Sequence, residues 1–521
     1  MIYIAARGCP CARCGRCFFF LKGIEIERHR KRNPHTQGAG LVSGSRNDLN
    51  VPAQPGSSGR GIGWQNKVFK MLKKLNSQVD LIGGPIMKNL LIFMLPILIS
   101  IVFQLLYSAV DTAIVGHFLG EQSLAAVGAN VAIFDLMVMF AQALGNGLCI
   151  VVSRAFGAGD ESRMRKSVAG SLVIGTGTIV VMTILSMLGL GPLLRLLGTP
   201  ESIYAEALAY IRIIGGGIVV MFAYNLLSSL LRAIGNSAIT LAFLIISSIL
   251  NIILDIVLVA GAGMGVRGAA AATVIAQGIS AAFCAAYILK RTPILIPRRE
   301  DFSFDRELYL ELAGQGYSMA FMGSVVNLGS VVLQYGINSL GPIVIAGHTT
   351  ARKLFMMCIL PYGAMGMAIA TFVSQNKGAG QRERIIRGVR QSYVYDLVCG
   401  VLSIIIMFLF ADELAVLISG STNPELIGNT VAYVRFAAVF CGVLGVLHQT
   451  RHALQGLGAK FTPVISSFIE LAGKCLFAWL FVPQMGYRAV IVCEPLIWCL
   501  MGIYLVIAFF INPYIRGKSG E

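Results

Sequence analysis

The sequence predicts an all-α membrane protein of about twelve transmembrane helices in two six-helix repeats. Three observations carry that prediction: an apolar composition, a succession of apolar runs each about twenty residues long, and short motifs that recur half a chain apart. Of the 521 residues, 56% are hydrophobic and 13% charged, and the mean hydropathy is +0.74. A soluble domain carries about 25% charged residues, so most of this chain must face lipid or other apolar helices. The 58 Gly and 17 Pro are spread through the apolar runs. That fits membrane helices, where Gly permits close packing and Pro interrupts the hydrogen-bond ladder. Water-soluble folds are excluded.

The apolar runs fall near residues 89–113, 124–149, 166–190, 203–228, 238–260, 266–289, 309–338, 345–371, 391–411, 430–453, 462–483 and 488–512. Each is long enough to cross about 30 Å of hydrocarbon. The charges between them sort by parity. One side takes Lys67, Lys70, Lys73, Lys74 and Lys88, then Arg154, Arg163, Arg165 and Lys166, then Lys290, Arg291, Arg298, Arg299 and Arg306. It also takes Lys377, Arg382, Arg384, Arg387 and Arg390, then Arg451 and Lys460, and finally Arg516 and Lys518. The opposite loops hold chiefly Arg195, Arg267 and Arg488. This asymmetry predicts that both termini are cytoplasmic and supports an even helix count. It also explains the net charge of +17 without nucleic acid as a partner, because no soluble core exists to carry a basic face.

The repetition has one spacing. Val152-Ser153, Gly157-Ala158-Gly159 and Arg163 recur as Val373-Ser374, Gly378-Ala379-Gly380 and Arg384. Ala209-Tyr210-Ile211-Arg212 returns as Ala432-Tyr433-Val434-Arg435, and Met264-Gly265-Val266-Arg267 as Met485-Gly486-Tyr487-Arg488. Three motifs in the same order at nearly one offset mark an internal duplication. Six crossings per half give the halves one orientation, related by an axis along the membrane normal, with a cleft between them.

The predicted organisation is a leader over 1–80, a six-helix lobe over 81–290, a cytoplasmic linker over 291–308, a second lobe over 309–513 and a cytoplasmic tail over 514–521. The leader is rich in Gly, Ser, Arg and Pro, lacks apolar periodicity and reads as disordered. It has no charged segment followed by an apolar one and a cleavage site, so it is not a signal peptide. Cys9, Cys11, Cys14 and Cys17 supply enough thiols for zinc or an iron–sulfur cluster, yet no second motif supports a metal fold. An unstructured leader, with Met71 as the effective start, is the plainer reading. Eight further Cys lie singly in apolar runs, as small hydrophobes rather than a disulfide framework.

Acidic residues inside apolar runs carry the chemical signal, since an ionised side chain at the bilayer centre costs roughly 2.5–3.5 kcal/mol. Asp111 lies on the first run, which also holds Pro96, Asp135 follows Phe134 on the second, and Asp255 lies on the fifth. Asn251 precedes Asp255 by four residues, which puts both on one helical face. Such carboxylates suit proton coupling, and an Asn beside an Asp offers oxygen ligands to sodium. The competing reading, that they cap kinked helices or accept bonds from neighbours, weighs most on Asp135. In the second half Glu470 and Lys474 form an i, i+4 pair and Glu494 precedes Pro495. These are candidate substrate or secondary coupling groups, although a neutralised pair in a bundle is more often structural. Asp396 reads as interfacial. His448 and His452 have ligand spacing but no apparent third ligand, so no metal site is expected. Gly517-Lys518-Ser519 resembles the end of a phosphate loop, but Asn512 stands where its first Gly is needed. No hydrolase signature occurs, so neither enzymatic activity nor a cofactor is expected beyond a coupling H+ or Na+.

At Leu95-Pro96-Ile97-Leu98, Ala109-Val110-Asp111-Thr112-Ala113-Ile114-Val115-Gly116 and Leu231-Arg232-Ala233-Ile234-Gly235-Asn236 the chain resembles the multidrug and toxic compound extrusion (MATE) family. Gly198-Thr199-Pro200-Glu201, Val152-Ser153-Arg154 through Gly159 and Ile245-Ile246-Ser247-Ser248 extend the likeness, which runs from about Leu81 to Pro513. It implies a V-shaped bundle of twelve helices that exports amphipathic cations in exchange for protons or sodium. It further implies that Asp111, Asn251 and Asp255 serve ion coupling in the first lobe. Relatives that use acids on the seventh and tenth helices have no counterpart here, because 314–338 and 433–445 contain no Asp or Glu.

The expected function is therefore a secondary antiporter for xenobiotic cations, monomeric, in the inner membrane. The alternative is a flippase or exporter of a lipid-linked or anionic metabolite on the same architecture. Arg212, Arg352 and Arg435 would suit that role, although Arg212 and Arg435 fall at equivalent repeat positions and so read as structural. A chain beginning at Met71 should transport as well as the full-length protein at matched expression. A large loss of transport, or stoichiometric zinc on the four leader cysteines, would contradict the reading of the leader.

Overall fold

The structure, a computed structural model, describes residues 78–517, and no strand occurs among them. The leader and its cysteine cluster lie outside the described residues. Eleven single helices and one bent pair are long and apolar enough to cross a membrane. We number these spans α1 (Ile86–Leu119), α2 (Val131–Gly157), α3 (Glu161–Leu196), α4 (Glu201–Ala233), α5 (Ala238–Gly261) and α6 (Val266–Arg291) in the first half. The second half holds α7 (Arg306–Asn338), α8 (Pro342–Gly378), α9 (Arg382–Ser419), α10 (Pro424–Val439 with Cys441–Gly456), α11 (Thr462–Met485) and α12 (Tyr487–Ile511). All twelve expected runs lie on these spans. The tenth differs in shape: it bends by 56° at Phe440. There the Phe440 N–H turns back to the carbonyl of Ala437, and Gly400 of α9 comes so close that a Cβ would sit 2.9 Å from the nitrogen of Gly442.

Local sequence sets the helix starts. Asp160 caps α3 by accepting from the Arg163 N–H at 2.8 Å, and Asp305 caps α7 by accepting from the N–H groups of Glu307 and Leu308. Asn423 does the same at the start of α10. Each occupies donors that the first turn cannot satisfy itself, which matters most at a membrane boundary.

The duplication predicted by the motifs is built into the backbone. Left-handed turns at Gly159 and Gly265, with φ of 69° and 60°, recur at Gly380 and Gly486 with φ of 70° and 61°. Both pairs are displaced by 221 residues, and a Cβ would strain each of these turns. Two π-helical stretches, Ile256–Gly261 late in α5 and Phe477–Phe481 late in α11, begin at the same displacement, from 256 to 477. Such stretches often mark functional positions in a helix. Here the first begins directly after Asp255.

Two hydrophobic cores form, one per half, but the first helix of each half crosses between them. Leu90, Phe93, Met94 and Ile97 at the start of α1 pack into the second-half core, while Val115 near its end joins the first-half core. Leu308, Leu312 and Ala320 of α7 make the reverse exchange, with Leu333 and Ile337 returning to their own half. The lobes are thereby tied at the end of the bundle where Arg163 and Arg384 lie.

The repeated motif itself makes the closure. Ser374 Oγ donates to the carbonyl of Ile150 at 2.6 Å, and Ser153 Oγ donates to that of Thr371 at 3.4 Å, two equivalent bonds in the two halves. Gly157 and Gly378 form the second symmetric pair. A Cβ on Gly157 would lie 2.0 Å from the Gln375 carbonyl oxygen, and one on Gly378 would lie 2.0 Å from that of Arg154. The Arg384 guanidinium donates to the carbonyls of Gly83 at 2.6 Å and Gly84 at 2.9 Å, holding the approach to α1. Arg154 is ion-paired to Glu311 of α7, and Arg163 reaches the same carboxylate at 3.2 Å. Since no side chain fits between Gly378 and Arg154, Gly378→Ala must push α2 and α8 apart. In a background without native cysteines, a Cys at the sealed position Ser374 should react several-fold faster with a thiol reagent once Gly378→Ala is added. An unchanged rate would show that the glycine contact does not hold the closure.

Candidate functional site

The three residues assigned to ion coupling come together in the first lobe. Asp255 is fully buried and Asn251 nearly so, both on the face of α5 that the i, i+4 spacing specifies. Asp111 approaches from α1, close enough for its carboxylate to interact electrostatically with that of Asp255. The decisive feature is what these groups lack. Both carboxylate oxygens of Asp255, both side-chain polar atoms of Asn251 and Oδ1 of Asp111 are buried with no hydrogen-bond partner. Buried polar atoms are satisfied in the great majority of cases, so a cluster of orphaned oxygens is the signature of a site completed by something else. A small cavity lined by Tyr107, Ser247, Ser248, Asn251, Thr273 and Gln277 opens beside it. Converging carboxylate and amide oxygens suit a hard cation, and the carboxylates suit a proton.

Asp135 does not join this cluster. It is exposed near the start of α2, yet it shares with Asp111 and Asp255 one neighbour, the buried ring of Tyr210 on α4. Tyr210 was not among the residues singled out from sequence. Its signal was available, since it belongs to the repeated Ala-Tyr-Ile-Arg motif whose second copy holds Tyr433. That residue proves equally central in the other lobe.

There, Glu470, Lys474 and Glu494 belong to one chain of alternating charge. Lys474 Nζ lies 2.9 Å from Glu470 and 3.3 Å from Glu494, and it donates to Ser330 Oγ of α7 at 3.2 Å. Arg352 of α8 reaches Glu494 at 2.7 Å, and Tyr433 donates its hydroxyl to the same carboxylate at 2.6 Å. At the other end Arg451 lies 3.8 Å from Glu470 and donates to Ser466 Oγ. The i, i+4 spacing disclosed one link. The others join α8, α10, α11 and α12, whose contributing residues lie too far apart in sequence for helix periodicity to pair them.

Two expectations are corrected. Arg451 is not a loop charge: α10 continues to Gly456, and the residue is buried and paired inside the lobe. Asp396 is not interfacial: α9 begins at Arg382, so Asp396 is more than three turns inside, fully buried and accepting from Gln449 Nε2 at 3.1 Å. The rings of His448 and His452 lie 6.5 Å apart, and no group of three metal-ligating side chains occurs among the described residues.

Comparison with known proteins covers the whole bundle. A family model, MatE, matches residues 96–257 and again 318–480, once in each half. A probable multidrug resistance protein, YpnP of Bacillus subtilis, is 26% identical over 414 residues, spanning 79% of this chain and 92% of that protein. An FAD transporter of Shewanella oneidensis is 25% identical over 439 residues, 81% of this chain and 94% of that one. A crystal structure of a MATE protein in complex with MaL6 superposes with a TM-score of 0.79 over 86% of this chain and 100% of its own, at 23% identity. That likeness speaks to the fold, twelve helices in two repeats.

The charge chain sets a stability test. Lys474→Met would leave Glu470 and Glu494 facing each other without their shared cation, and breaking a buried pair in this way typically costs about 3–5 kcal/mol. Thermal unfolding of the purified protein should fall by many degrees for Lys474→Met and by much less for Lys474→Arg. Equal melting temperatures for wild type and Lys474→Met would mean that the chain contributes nothing to stability.

Proposed function

Because its family model matches both halves, the chain belongs to the multidrug and toxic compound extrusion family, and on that premise we propose that it is a secondary antiporter. It exports small organic cations across the cell membrane in exchange for protons or sodium ions. The observation that carries this reading is the set of buried, unpartnered oxygens on Asp111, Asn251 and Asp255. A transporter driven by an ion gradient needs such a place, where a cation is held by groups that are incomplete without it.

The rest of the reading follows from the charges. The Arg-rich end is cytoplasmic by the positive-inside rule, so the closure through Ser153, Ser374, Gly157 and Gly378 faces the cytoplasm. In this state the interlobe cleft is shut on that side, and the first-lobe acids take their cation from outside. Cation binding neutralises Asp111 and Asp255 in the first lobe, while the organic cation binds apart from them in the interlobe cleft. Coupling arises if the ion binds more tightly to one state of the cleft than to the other, since a ligand shifts an equilibrium only by its differential affinity. The protein acts as a monomer, with both termini in the cytoplasm.

Export of a lipid-linked or anionic metabolite has the FAD transporter relative behind it. Two of the arginines that would have served it are paired with carboxylates, however. Arg352 is bound to Glu494 and Arg435 to Asp412 at 2.6 Å. The multidrug relatives and the orphaned acids favour the cation reading.

In liposomes, Asp255→Asn should abolish efflux of ethidium driven by an imposed pH or sodium gradient while ethidium binding survives. Asp111→Asn should behave alike, and the double variant should be scarcely worse than either single one, as expected for groups acting as a unit. Gradient-driven efflux at the wild-type rate in both single variants would remove the first-lobe site from the mechanism.

A further inference from the structure

Arg232, half-buried near the Arg-rich end of α4, differs from the basic residues that are paired inside the spans. Arg154, Arg352, Arg451 and Lys474 each have a carboxylate partner. Arg232 has none among the described residues. Its guanidinium donates to Ser228 Oγ at 2.6 Å, Ser229 Oγ at 2.6 Å and Asn146 Oδ1 at 3.1 Å, all neutral acceptors. Three bonds leave part of its five-donor fork free. A charge held in a membrane protein without a counter-ion is by default a functional position.

The surroundings say what could complete it. Two cavities meet at Arg232 and Met367. One is walled by Asn146, Ser153 and Ser229 from the first lobe and by Met319, Thr371 and His452 from the second. The other runs along α1 past Ser100 and Gln104 to Gln142 and Asn225. No Asp or Glu lines either cavity. Both lie between the lobes, immediately beside the bonds from Ser153 to Thr371 and from Ser374 to Ile150 that close the bundle. The acids at Asp111 and Asp255, by contrast, lie toward the far ends of their helices from this closure.

From this geometry we infer that Arg232 forms an oxyanion subsite at the floor of the interlobe cleft, taking a carboxylate or phosphate group carried by the transported organic molecule. The anionic group of a zwitterionic substrate pairs with the planar guanidinium fork while the apolar body rests on Met319 and Met367. The inference rests on the reading that the interlobe cleft receives the exported compound.

The test uses a matched pair: a zwitterionic fluoroquinolone and its methyl ester, which keeps the amine and ring system but loses the carboxylate. Binding to the purified full chain is measured without any gradient for wild type, Arg232→Lys and Arg232→Gln, with ethidium as a cation lacking an acid. Wild type should bind the acid roughly tenfold or more tighter than the ester, the scale of one charge-assisted bond. Arg232→Lys should keep only part of that preference, because an ammonium retains the charge but not the planar fork. Arg232→Gln should lose it, with ester and ethidium affinities unchanged. Equal wild-type affinity for acid and ester, or an equal loss for both in Arg232→Gln, would overturn the subsite and leave Arg232 as a tie between α2 and α4. If Arg232→Gln does not fold, the wild-type and Arg232→Lys preferences decide. If ethidium, acid and ester all fail to bind, the cleft reading falls and the subsite falls with it.

Discussion

An ionised group inside hydrocarbon must find a counter-charge or a ligand, and the two lobes meet that requirement in opposite ways. The second lobe pairs five of its charges with one another, although Asp396, held only by Gln449, keeps one unpartnered oxygen there. Arg352, Glu494, Lys474, Glu470 and Arg451 neutralise one another in sequence, with Tyr433, Ser330 and Ser466 taking remaining bonds. The first lobe leaves Asp111, Asn251 and Asp255 with buried oxygens that nothing in the protein satisfies. A self-satisfied network stiffens a bundle, whereas an unsatisfied one awaits a ligand. That contrast supports the proposal that coupling is seated in the first lobe, with the charge chain of the second as scaffold.

The duplication explains how two lobes of such different chemistry can share one hinge. The pseudo-symmetric bonds of Ser153 and Ser374 and the facing glycines 157 and 378 place the axis relating the halves at the closure itself. Equivalent positions then diverge elsewhere. Tyr210 faces the unpaired acids of its lobe, while Tyr433 donates to a carboxylate already held by Arg352 and Lys474. The π-helical stretch after Asp255 has its twin after Leu476, an apolar residue. The backbone device is retained in both halves and the aspartate in one.

Much of this was legible in the sequence, for identifiable reasons. Apolar runs report membrane crossings directly, and a motif repeated at one offset reports a duplication. Asn251 and Asp255 declared themselves because polar residues four apart in an apolar run share a helix face. The same rule found Glu470 with Lys474 but not Glu494, Arg352 or Arg451, which meet them only through packing of four helices. The sequence misleads at Arg451 and Asp396 because α9 and α10 extend beyond their apolar runs, so proximity to a turn does not mean exposure. The bend of α10 left no Pro to announce it. Arg232 was visible only as part of a family motif, and that it lacks a carboxylate partner is a property of three dimensions.

The central claim is that the first-lobe oxygens hold the coupling cation and release it when drug is bound. The most direct measurement is made at equilibrium, with no gradient. Ethidium is added to purified protein in detergent, and released cation is followed as protons in weak buffer and as radioactive sodium from preloaded protein. The account predicts release of one of the two cations on ethidium binding. Ethidium binding with no release of either would contradict it.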